Sequence, residues 1–389
     1  MVTRRNVVRA GVAAAALIGA PGLAVPAAHA QPPADREALR RALDDVVANG
    51  VSAALLEVTD AAGTWRGASG VAELDEPRPA PVSGRFRVGS ITKTFVSTVA
   101  LQLVAEGRLR LTDTVERWLP GLVPGGPAIT LRHLLGHTSG LYNYTDDVLA
   151  DVNVWLRQRF RTYTPRELVG IAVRHDPLFP PGTSWSYSNT NYIVAAMIIE
   201  RVIRCSYASA VEQRIVRPLA LAHTWAPGVI PVVPGPHAHS YVPVVRNGHE
   251  QPLDVTELNP SVAWAAGEII STTQDLNRFY GGLLGGHLLP PAMLREMKTV
   301  GPDDYGLGLV RLPLGDSRVL WGHTGGIPNY ISVAFTSEDT TQRFALSITP
   351  WGPGDFGGAV NRLAAIAFGL PLGARSAPGL AIPLSRHAL

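Results

Sequence analysis

Residues 88–107 read VGSITKTFVSTVALQLVAEG, and this stretch predicts a buried helix that begins directly after a loop. Phe95, Val99 and Leu103 recur at helical spacing and form one apolar stripe. A second stripe lies beside the first and consists of Val96, Ala100 and Val104. Because apolar residues occupy adjacent faces and charges are few, we expect this helix to be buried on more than one side. We expect Gly107 to end this helix.

The chain around this helix has β-rich runs at both ends and helical segments between them. Residues 53–59 and 64–73 flank Asp60-Ala61-Ala62-Gly63 and predict a hairpin. Three further runs predict an antiparallel meander with Gly325-Gly326-Ile327-Pro328 and Ser337-Glu338-Asp339-Thr340 as its turns: residues 317–323, 329–336 and 342–349. Short helical segments and Pro/Gly-rich loops fill residues 108–300. The clearest helices are residues 166–175, 191–204 and, near the C-terminus, 355–368.

These elements predict an α/β fold. The simplest packing joins the N- and C-terminal segments into one antiparallel sheet flanked by helices, with an all-helical lobe, roughly residues 91–300, inserted between strands. The packed domain should span residues 36–370. The tail at residues 371–389 is rich in Pro, Gly and Ala and should be loose. A cleft between sheet and lobe is then the expected ligand site.

Residues 1–30 predict a signal peptide. Arg4, Arg5 and Arg9 precede a short apolar run, and Ala28-His29-Ala30 is typical of a cleavage site. The paired arginines favour the bacterial twin-arginine route, with an ordinary secretory signal and a chance arginine pair as the alternative. No later apolar run approaches the roughly 18 residues that a membrane span needs. We therefore expect a secreted bacterial protein with no stable membrane span.

Composition excludes several classes of protein. The chain has 389 residues, of which 46% are hydrophobic and 17% charged, so it can bury a sizeable core. Without the three signal-peptide arginines, 31 of the 34 Lys and Arg residues remain against 31 Asp and Glu residues. This balance argues against a nucleic-acid partner or a polybasic membrane binder. Cys205 is the only cysteine, which excludes an internal disulfide and a cysteine-based metal site.

The tetrapeptide Ser90-Ile91-Thr92-Lys93 lies where the loop enters the buried helix. Ser90 is therefore at a helix N-terminus, which favours developing negative charge, and Lys93 follows on the same face. A desolvated lysine can lose its proton and then take the proton of a serine nucleophile. The alternative is a capping serine with an exposed lysine. The chain has only two lysines, Lys93 and Lys298, and an arginine could not act as a base.

A second candidate motif is Tyr187-Ser188-Asn189, directly before a predicted helix. A phenol held near two cations can have a lowered pKa and move protons. An asparagine offers both a donor and an acceptor to a substrate amide. The alternative is a turn that caps the following helix.

A third candidate motif, His323-Thr324-Gly325, lies at the end of a β-rich run and is followed by Gly326. A cationic or polar side chain on an edge strand, followed by small residues, leaves room for a substrate to lie along the strand. A backbone N–H there could pair with that of Ser90 in an oxyanion hole. The alternative is a hairpin turn with an incidental histidine. His137-Thr138-Ser139-Gly140 has a similar composition but follows a helical stretch, so we interpret it as structural.

Taken together and in this order, the three motifs resemble those of the serine D-alanyl-D-alanine peptidases and class C β-lactamases. Within these penicillin-binding serine hydrolases, the chain is most similar to the secreted Streptomyces-type D-Ala-D-Ala carboxypeptidases. The similarity extends to Phe86-Arg87-Val88-Gly89-Ser90, Ser139-Gly140-Leu141-Tyr142, Ser271-Thr272-Thr273-Gln274-Asp275-Leu276 and Tyr305-Gly306-Leu307-Gly308-Leu309. The resemblance implies a sheet with a helical lobe, the same fold that the predicted strands and helices indicate.

The resemblance also implies a role for each motif residue. Ser90 would be the acylated nucleophile, and Lys93 and Tyr187 would handle its proton. His323 would occupy a position that is lysine in most relatives and histidine in the Streptomyces-type enzymes. No cofactor or metal is implied, and the expected partner is a small peptide or β-lactam substrate.

On the substrate side, Asn189 would bind the substrate amide, Thr324 would contact the substrate, and Gly326 would complete the oxyanion hole. Two positions depart from the Streptomyces-type pattern, because Gly326 and Val310 replace the Thr and Arg that hold the carboxylate of a terminal D-Ala. Arg311 is next along, but alternation along a strand predicts that it faces away from the cleft. The sequence therefore leaves open whether the protein prefers substrates with a free C-terminal carboxylate.

These observations predict an exported serine hydrolase, foremost a D-Ala-D-Ala carboxypeptidase acting on peptidoglycan-type peptides. A β-lactamase, an esterase or a D-amino-acid amidase on the same scaffold keeps the acylation residues and needs no carboxylate clamp. A non-catalytic penicillin-binding protein is a further alternative, although it has no need of Lys93. A metal-dependent hydrolase would rest on His237 and His239 alone, without an evident third ligand.

Overall fold

The computed structural model describes residues 33–246, 248–314, 317–371 and 382. The predicted signal peptide and nearly all of the predicted tail lie outside the described residues, and the domain boundaries stay predictions. Within the described part, no helix is both long and apolar enough to cross a membrane.

The sheet is built from both ends of the chain. In chain order the described strands are β1 (Val51–Asp60), β2 (Gly63–Glu73), β3 (Glu76–Pro79), β4 (Phe86–Arg87), β5 (Tyr241–Arg246), β6 (His249–Asp254), β7 (Ile270–Ser271), β8 (Val310–Pro313), β9 (Val319–Ile327), β10 (Tyr330–Ser337) and β11 (Arg343–Pro350). Seven of these form one antiparallel sheet in the order β3-β2-β1-β11-β10-β9-β8. β1 and β11 are neighbours at its centre, with Leu56 opposite Leu346. β4 pairs with β7, and β5 pairs with β6.

Helices cover both faces of the sheet. In chain order the described α-helices are α1 (Arg36–Ala48), α2 (Thr92–Ala105), α3 (Val115–Trp118), α4 (Leu131–Leu135), α5 (Thr145–Val148), α6 (Val152–Gln158), α7 (Pro165–Ala172), α8 (Asn189–Ile203), α9 (Tyr207–Val211), α10 (Thr273–Leu284), α11 (Pro291–Lys298) and α12 (Phe356–Ala367). α1 and α12 share one core with Phe344 and Leu346 of β11. Full burial of one such side chain contributes about 1.5–3 kcal/mol.

The second core lies on the opposite side of the sheet and contains α2, α8, α10 and the other helices of the lobe. Phe95 of α2 stacks on Phe279 of α10, with ring centroids 3.7 Å apart. Leu101 and Leu103 of α2 have no exposed surface. The buried helix predicted from residues 88–107 is thus confirmed, as is the α/β fold with an antiparallel sheet from both chain ends.

Several elements are not predicted by the sequence pattern, among them α1, β8 and the short strands β3, β4 and β7. The lobe expected to be all-helical over residues 91–300 also contains β7 and the β5–β6 hairpin, so that expectation is wrong in part. α1 has a signal that could have revealed it, because Asp35 caps its N-terminus and accepts hydrogen bonds from the N–H groups of Glu37 and Ala38. β8 is only four residues long, which is too short for alternation to be recognised.

β9 is longer than predicted. The sequence analysis placed Gly325-Gly326-Ile327-Pro328 in a turn, but β9 continues to Ile327, and Pro328-Asn329 alone connects it to β10. Asn329 has a φ of 51°, in the left-handed region that two-residue hairpin turns use. Glycine inside a strand can instead mark a close approach of another backbone. A Cβ at Gly325 would lie 1.9 Å from the Val88 carbonyl oxygen, so these glycines admit the loop before α2.

The last part of β9 has an open edge. β8 pairs with β9 only as far as Gly322, so from His323 to Ile327 the ladder continues with β10 alone. Gly326 in this segment also lies against the short turn Gly89–Ile91, because a Cβ on Gly89 would lie 2.5 Å from Gly326 N. An extended molecule could therefore lie along this edge next to the start of α2.

Gly325→Ala should strongly reduce the hydrolytic activity that the sequence predicts. Its effect on stability should be smaller. The added Cβ would lie 1.9 Å from Val88 O and 2.9 Å from Ser90 N, so the loop before α2 must move. Overpacking of this kind typically costs about 1–3 kcal/mol. Gly170→Ala on α7 is the control, because an added Cβ there meets nothing within 4 Å. Melting temperatures and hydrolysis rates would be compared, and wild-type values for Gly325→Ala would contradict the close approach.

Candidate active site

Ser90 lies in the turn Gly89–Ile91 that leads into α2, at the helix start that the sequence predicts. The φ of Gly89 is 52°, and a side chain there would collide with Gly326 of β9. The turn is therefore held against the strand, and Ser90 is only 6% exposed. A Cβ on Gly325 would lie 2.9 Å from Ser90 N, and one on Gly89 would lie 2.5 Å from Gly326 N, so both backbone nitrogens lie at this contact. Two neighbouring amides of this kind can stabilise a developing oxyanion.

Lys93 lies one helical turn later and is fully buried, with its amine nitrogen 2.8 Å from Ser90 Oγ. The same nitrogen is 2.7 Å from Asn189 Oδ1 and 2.8 Å from the Ala266 carbonyl oxygen. Burial lowers the pKa of Lys93 well below its usual value. A neutral amine has two hydrogens and one lone pair. Because the two oxygens only accept, they take both hydrogens and leave the lone pair for the Ser90 hydroxyl.

Tyr187 contacts the same oxygen, because its phenol donates a hydrogen bond of 2.7 Å to Ser90 Oγ. The expectation of a lowered phenol pKa is wrong, since burial raises the pKa of Tyr187 above its ordinary value. Burial also lowers the pKa of Lys93 and of His323, which disfavours the cationic form of both groups near the phenol. Tyr187 therefore keeps its proton at neutral pH and can donate it to a leaving group.

His323 is a neutral polar group inside β9. Burial lowers its pKa to about 3, so the histidine is not the cation that the sequence analysis allowed. Its Nδ1–H donates to the carbonyl oxygen of Thr324, and its Nε2 accepts from the Tyr305 hydroxyl at 3.1 Å. The Tyr305 ring also lies 6.4 Å from the Tyr187 ring. The sequence analysis missed this role of Tyr305, although the residue begins a stretch that supports the family resemblance.

Asn189 is the first residue of α8 and is held at three of its atoms. Its Oδ1 accepts from Lys93, its Nδ2 donates to Thr145 Oγ1 at 3.1 Å, and its N–H donates to Asn143 Oδ1 at 2.9 Å. The sequence did not reveal Asn143, Thr145 or the Ala266 carbonyl, because only the fold brings these loops to the site. The structure thus brings Lys93 and Tyr187 to one oxygen, Ser90 Oγ, and places the third motif against the loop that carries Ser90.

The His237 and His239 pair lies in different surroundings. His239 lies between Asp254 and Glu73, with ring nitrogen to carboxylate oxygen distances of 2.6 and 3.3 Å. The Nδ1–H of His237 donates to the Gly235 carbonyl oxygen at 2.7 Å. Across the described residues, no group of three or more His, Cys, Asp or Glu side chains is arranged to hold a metal ion.

The expectation that Arg311 faces away from the cleft is wrong. Arg311 pairs with Trp321 and Val310 pairs with Gly322, and residues directly opposite in a ladder share a face. Trp321 belongs to the core on the lobe side, whereas Val310 packs against the core of α1 and α12. Arg311 therefore lies on the lobe side, where it forms an ion pair of 2.9 Å with Asp304. The expectation failed because it took Val310 as the residue facing the cleft.

Residues 39–367 match the model of the family described as Beta-lactamase. The chain belongs to this family. It is similar to a D-stereospecific amidohydrolase from Streptomyces sp., with a TM-score of 0.78 and 42% identity, covering 86% of this chain and 98% of that one. It is also similar to the D-amino acid amidase from Ochrobactrum anthropi SV3, with a TM-score of 0.74, 28% identity and the same coverage.

A curated relative connects this member of the Beta-lactamase family to the penicillin-binding proteins. Penicillin-binding protein 4* from Bacillus subtilis (strain 168) is 30% identical over 279 residues, which is 67% of this chain. The match spans about 60% of that relative's length. The resemblance to penicillin-binding serine hydrolases that the three motifs indicated is thereby confirmed.

Lys93→Arg should remove most of the hydrolytic activity although it keeps a cation, because a guanidinium cannot give up its proton. Loss of one proton-transfer group typically costs about 10²–10⁴-fold in rate. Lys298→Arg is the matched control, because this second lysine pairs with Glu338 at 2.7 Å and arginine preserves that ion pair. The measurement is kcat together with Tm for both variants. A near-normal kcat in Lys93→Arg would mean that Lys93 is only a structural cation.

Proposed function

We propose that this protein is a serine amide hydrolase that forms an acyl-enzyme on Ser90 and accepts amides of D-configured amino acids. The observation that carries this proposal is the convergence of two groups on Ser90 Oγ, Lys93 Nζ at 2.8 Å and Tyr187 OH at 2.7 Å. A serine with a neutral amine and a protonated phenol at hydrogen-bond distance has both the base and the proton donor that acyl transfer needs.

Acylation follows from these protonation states. Lys93 takes the hydroxyl proton of Ser90 while Oγ forms a bond to the substrate carbonyl carbon. The N–H groups of Ser90 and Gly326 stabilise the charge on the carbonyl oxygen, and loss of one such donor typically costs about 10²–10³-fold in rate. As the C–N bond breaks, Tyr187 donates its proton to the leaving nitrogen, and the proton on Lys93 passes to the phenolate. The amine leaves neutral and the acyl group stays on Ser90.

Deacylation uses the same groups in reverse. A water molecule attacks the ester carbonyl carbon, and its proton is taken by the Lys93 amine. The C–Oγ bond then breaks, and Ser90 recovers a proton from the Lys93–Tyr187 pair. The acid product leaves, and the amine and the phenol return to their starting protonation states.

Two features support an amide substrate over a peptide with a free C-terminus. Gly326 and Val310 offer no side-chain donor to a carboxylate, and Arg311 is already paired with Asp304 at 2.9 Å. Two similar proteins, at 42% and 28% identity, are described as a D-stereospecific amidohydrolase and a D-amino acid amidase. An amide has no terminal carboxylate, so its recognition needs no such clamp.

A D-Ala-D-Ala carboxypeptidase is the second candidate function, and the position of Arg311 favours it. This side chain lies on the same side of the sheet as the helical lobe, and a substrate carboxylate could replace Asp304 as its partner. Paired arginine–carboxylate hydrogen bonds are among the stronger polar contacts in proteins. The β-lactamase and esterase alternatives use the same acyl-enzyme and stay predictions.

The proposal predicts stereoselective amide hydrolysis. D-Phenylalanine amide should be hydrolysed with a kcat/KM at least ~10-fold above that of the L-amide. When the carbonyl group and the amino group of the L-isomer are held in the same places, its side chain must point away from the pocket that the D-side chain occupies. Ser90→Ala should abolish turnover and acyl-adduct formation in intact-mass measurements. Ser69→Ala is the control and should leave both unchanged, because Ser69 lies on β2 and its hydroxyl donates to Asp44 of α1. Equal or greater activity on the L-amide would contradict the proposal.

Arg311→Ala separates the two candidate functions. For an amide hydrolase, this change should alter kcat/KM by less than about threefold on both the free-acid and the amide form of one D-Ala-D-Ala peptide. For a carboxypeptidase, it should cost about 10–100-fold on the free acid alone, the range expected for a hydrogen bond to a charged group. Asp304→Ala is the complementary variant, because it frees Arg311. A rise in free-acid hydrolysis in that variant would favour the carboxypeptidase.

A further inference from the structure

His137 is a buried residue next to the site that the proposed mechanism does not use. Its backbone has a φ of 58°, a left-handed conformation that costs energy for a residue with a side chain. Its carbonyl oxygen accepts a hydrogen bond of 3.0 Å from Ser186 N–H, and its ring Nδ1 accepts one of 3.2 Å from Ser188 N–H. One histidine therefore holds the residues on both sides of Tyr187.

The tautomer of His137 follows from its partners. Nδ1 also accepts from Asn191 Nδ2 at 3.1 Å, so two donors converge on this nitrogen and the ring proton is on Nε2. Nε2 has no hydrogen-bond partner among the described residues, although it is buried. Burial lowers the pKa of His137 well below its usual value. The ring is therefore neutral, and Nδ1 keeps the lone pair that binds Ser188.

The ring of His137 also supports the Tyr187 phenol directly. The two ring centroids are 4.3 Å apart with planes inclined by 34°, and Tyr305 lies on another side of the imidazole at 4.9 Å. The two hydrogen bonds fix the main chain around Tyr187. The ring contact keeps the phenol ring from moving towards His137. A residue needed only for helix capping or for filling the core would not require all three contacts.

We propose that His137 is a positioning residue for Tyr187, which it holds with the phenol hydroxyl on Ser90 Oγ. This inference rests on the proposed function, in which Tyr187 protonates the leaving group. A displacement of about 1 Å in a catalytic group can cost about 10²-fold in rate. The cost depends on the leaving group, because a leaving group that departs as a stable anion needs no proton from Tyr187.

The test compares two substrates with the same acyl group and nearly the same shape. D-Phenylalanine p-nitroanilide needs a proton on its leaving nitrogen, whereas the p-nitrophenyl ester releases a stable phenolate. His137→Ala should lower kcat/KM, which for an acyl-enzyme reports the acylation step, about 10²-fold on the anilide and less than about threefold on the ester. Tyr187→Phe should give the same pattern, and adding His137→Ala to it should cause no further loss specific to the anilide.

A second variant keeps the test valid if His137→Ala folds poorly. Asparagine tolerates the left-handed conformation, and its Oδ1 can accept from Ser188 N–H, so His137→Asn should recover part of the anilide activity. His249→Ala, an exposed histidine on β6, is the control for removal of a histidine. Equal losses on ester and anilide in a folded His137 variant would overturn the inference. Failure of the wild-type protein on both substrates would instead contradict the proposed function, and the two failures are therefore distinguishable.

Discussion

The burial of one amine, Lys93 Nζ, is the constraint on which the site depends. A charged ammonium without an ionic partner is unfavourable at such depth, so the environment favours the neutral form. Two acceptor oxygens, from Asn189 and Ala266, fix the direction of its hydrogens and therefore of its lone pair. The neutral state of His323 and the retained proton of Tyr187 have the same cause. Desolvation thus assigns the base and the proton donor together.

The sheet topology brings groups from distant parts of the chain together around the buried Lys93 amine. Pairing of β1 with β11 joins the N- and C-terminal parts of the sheet, and the helices of the lobe lie between β3 and β8 in sequence. The proposed nucleophile Ser90 precedes α2, the Tyr187 phenol precedes α8, and Gly326, the proposed oxyanion donor, lies on β9. Each of these groups is at the start of a helix or on a strand, where the backbone is held by regular hydrogen bonds. The positions are therefore rigid although they are far apart in sequence.

The sequence sufficed for the features that depend on local pattern. Apolar periodicity predicted α2 and the meander, and the i, i+3 spacing predicted that Ser90 and Lys93 lie side by side. That Tyr187 joins them was implied by the family resemblance. It failed where long-range packing decides. The charge of His323 depends on burial by remote residues, and the face of Arg311 depends on the register of β8 against β9. The glycines of β9 looked like a turn because their real partner, the loop before α2, lies more than 200 residues away.

The open edge of β9 between His323 and Ile327 has a consequence for handedness. A chain laid along a strand edge is held by its main-chain groups, and its side chains then alternate between the two faces of the sheet. Inverting one Cα while keeping the same main-chain contacts sends that side chain to the opposite face. D- and L-residues bound along this edge therefore place their side chains on opposite faces of the sheet. The helical lobe covers only one of these faces, so the side chain of the reacting residue meets different surroundings in the two configurations.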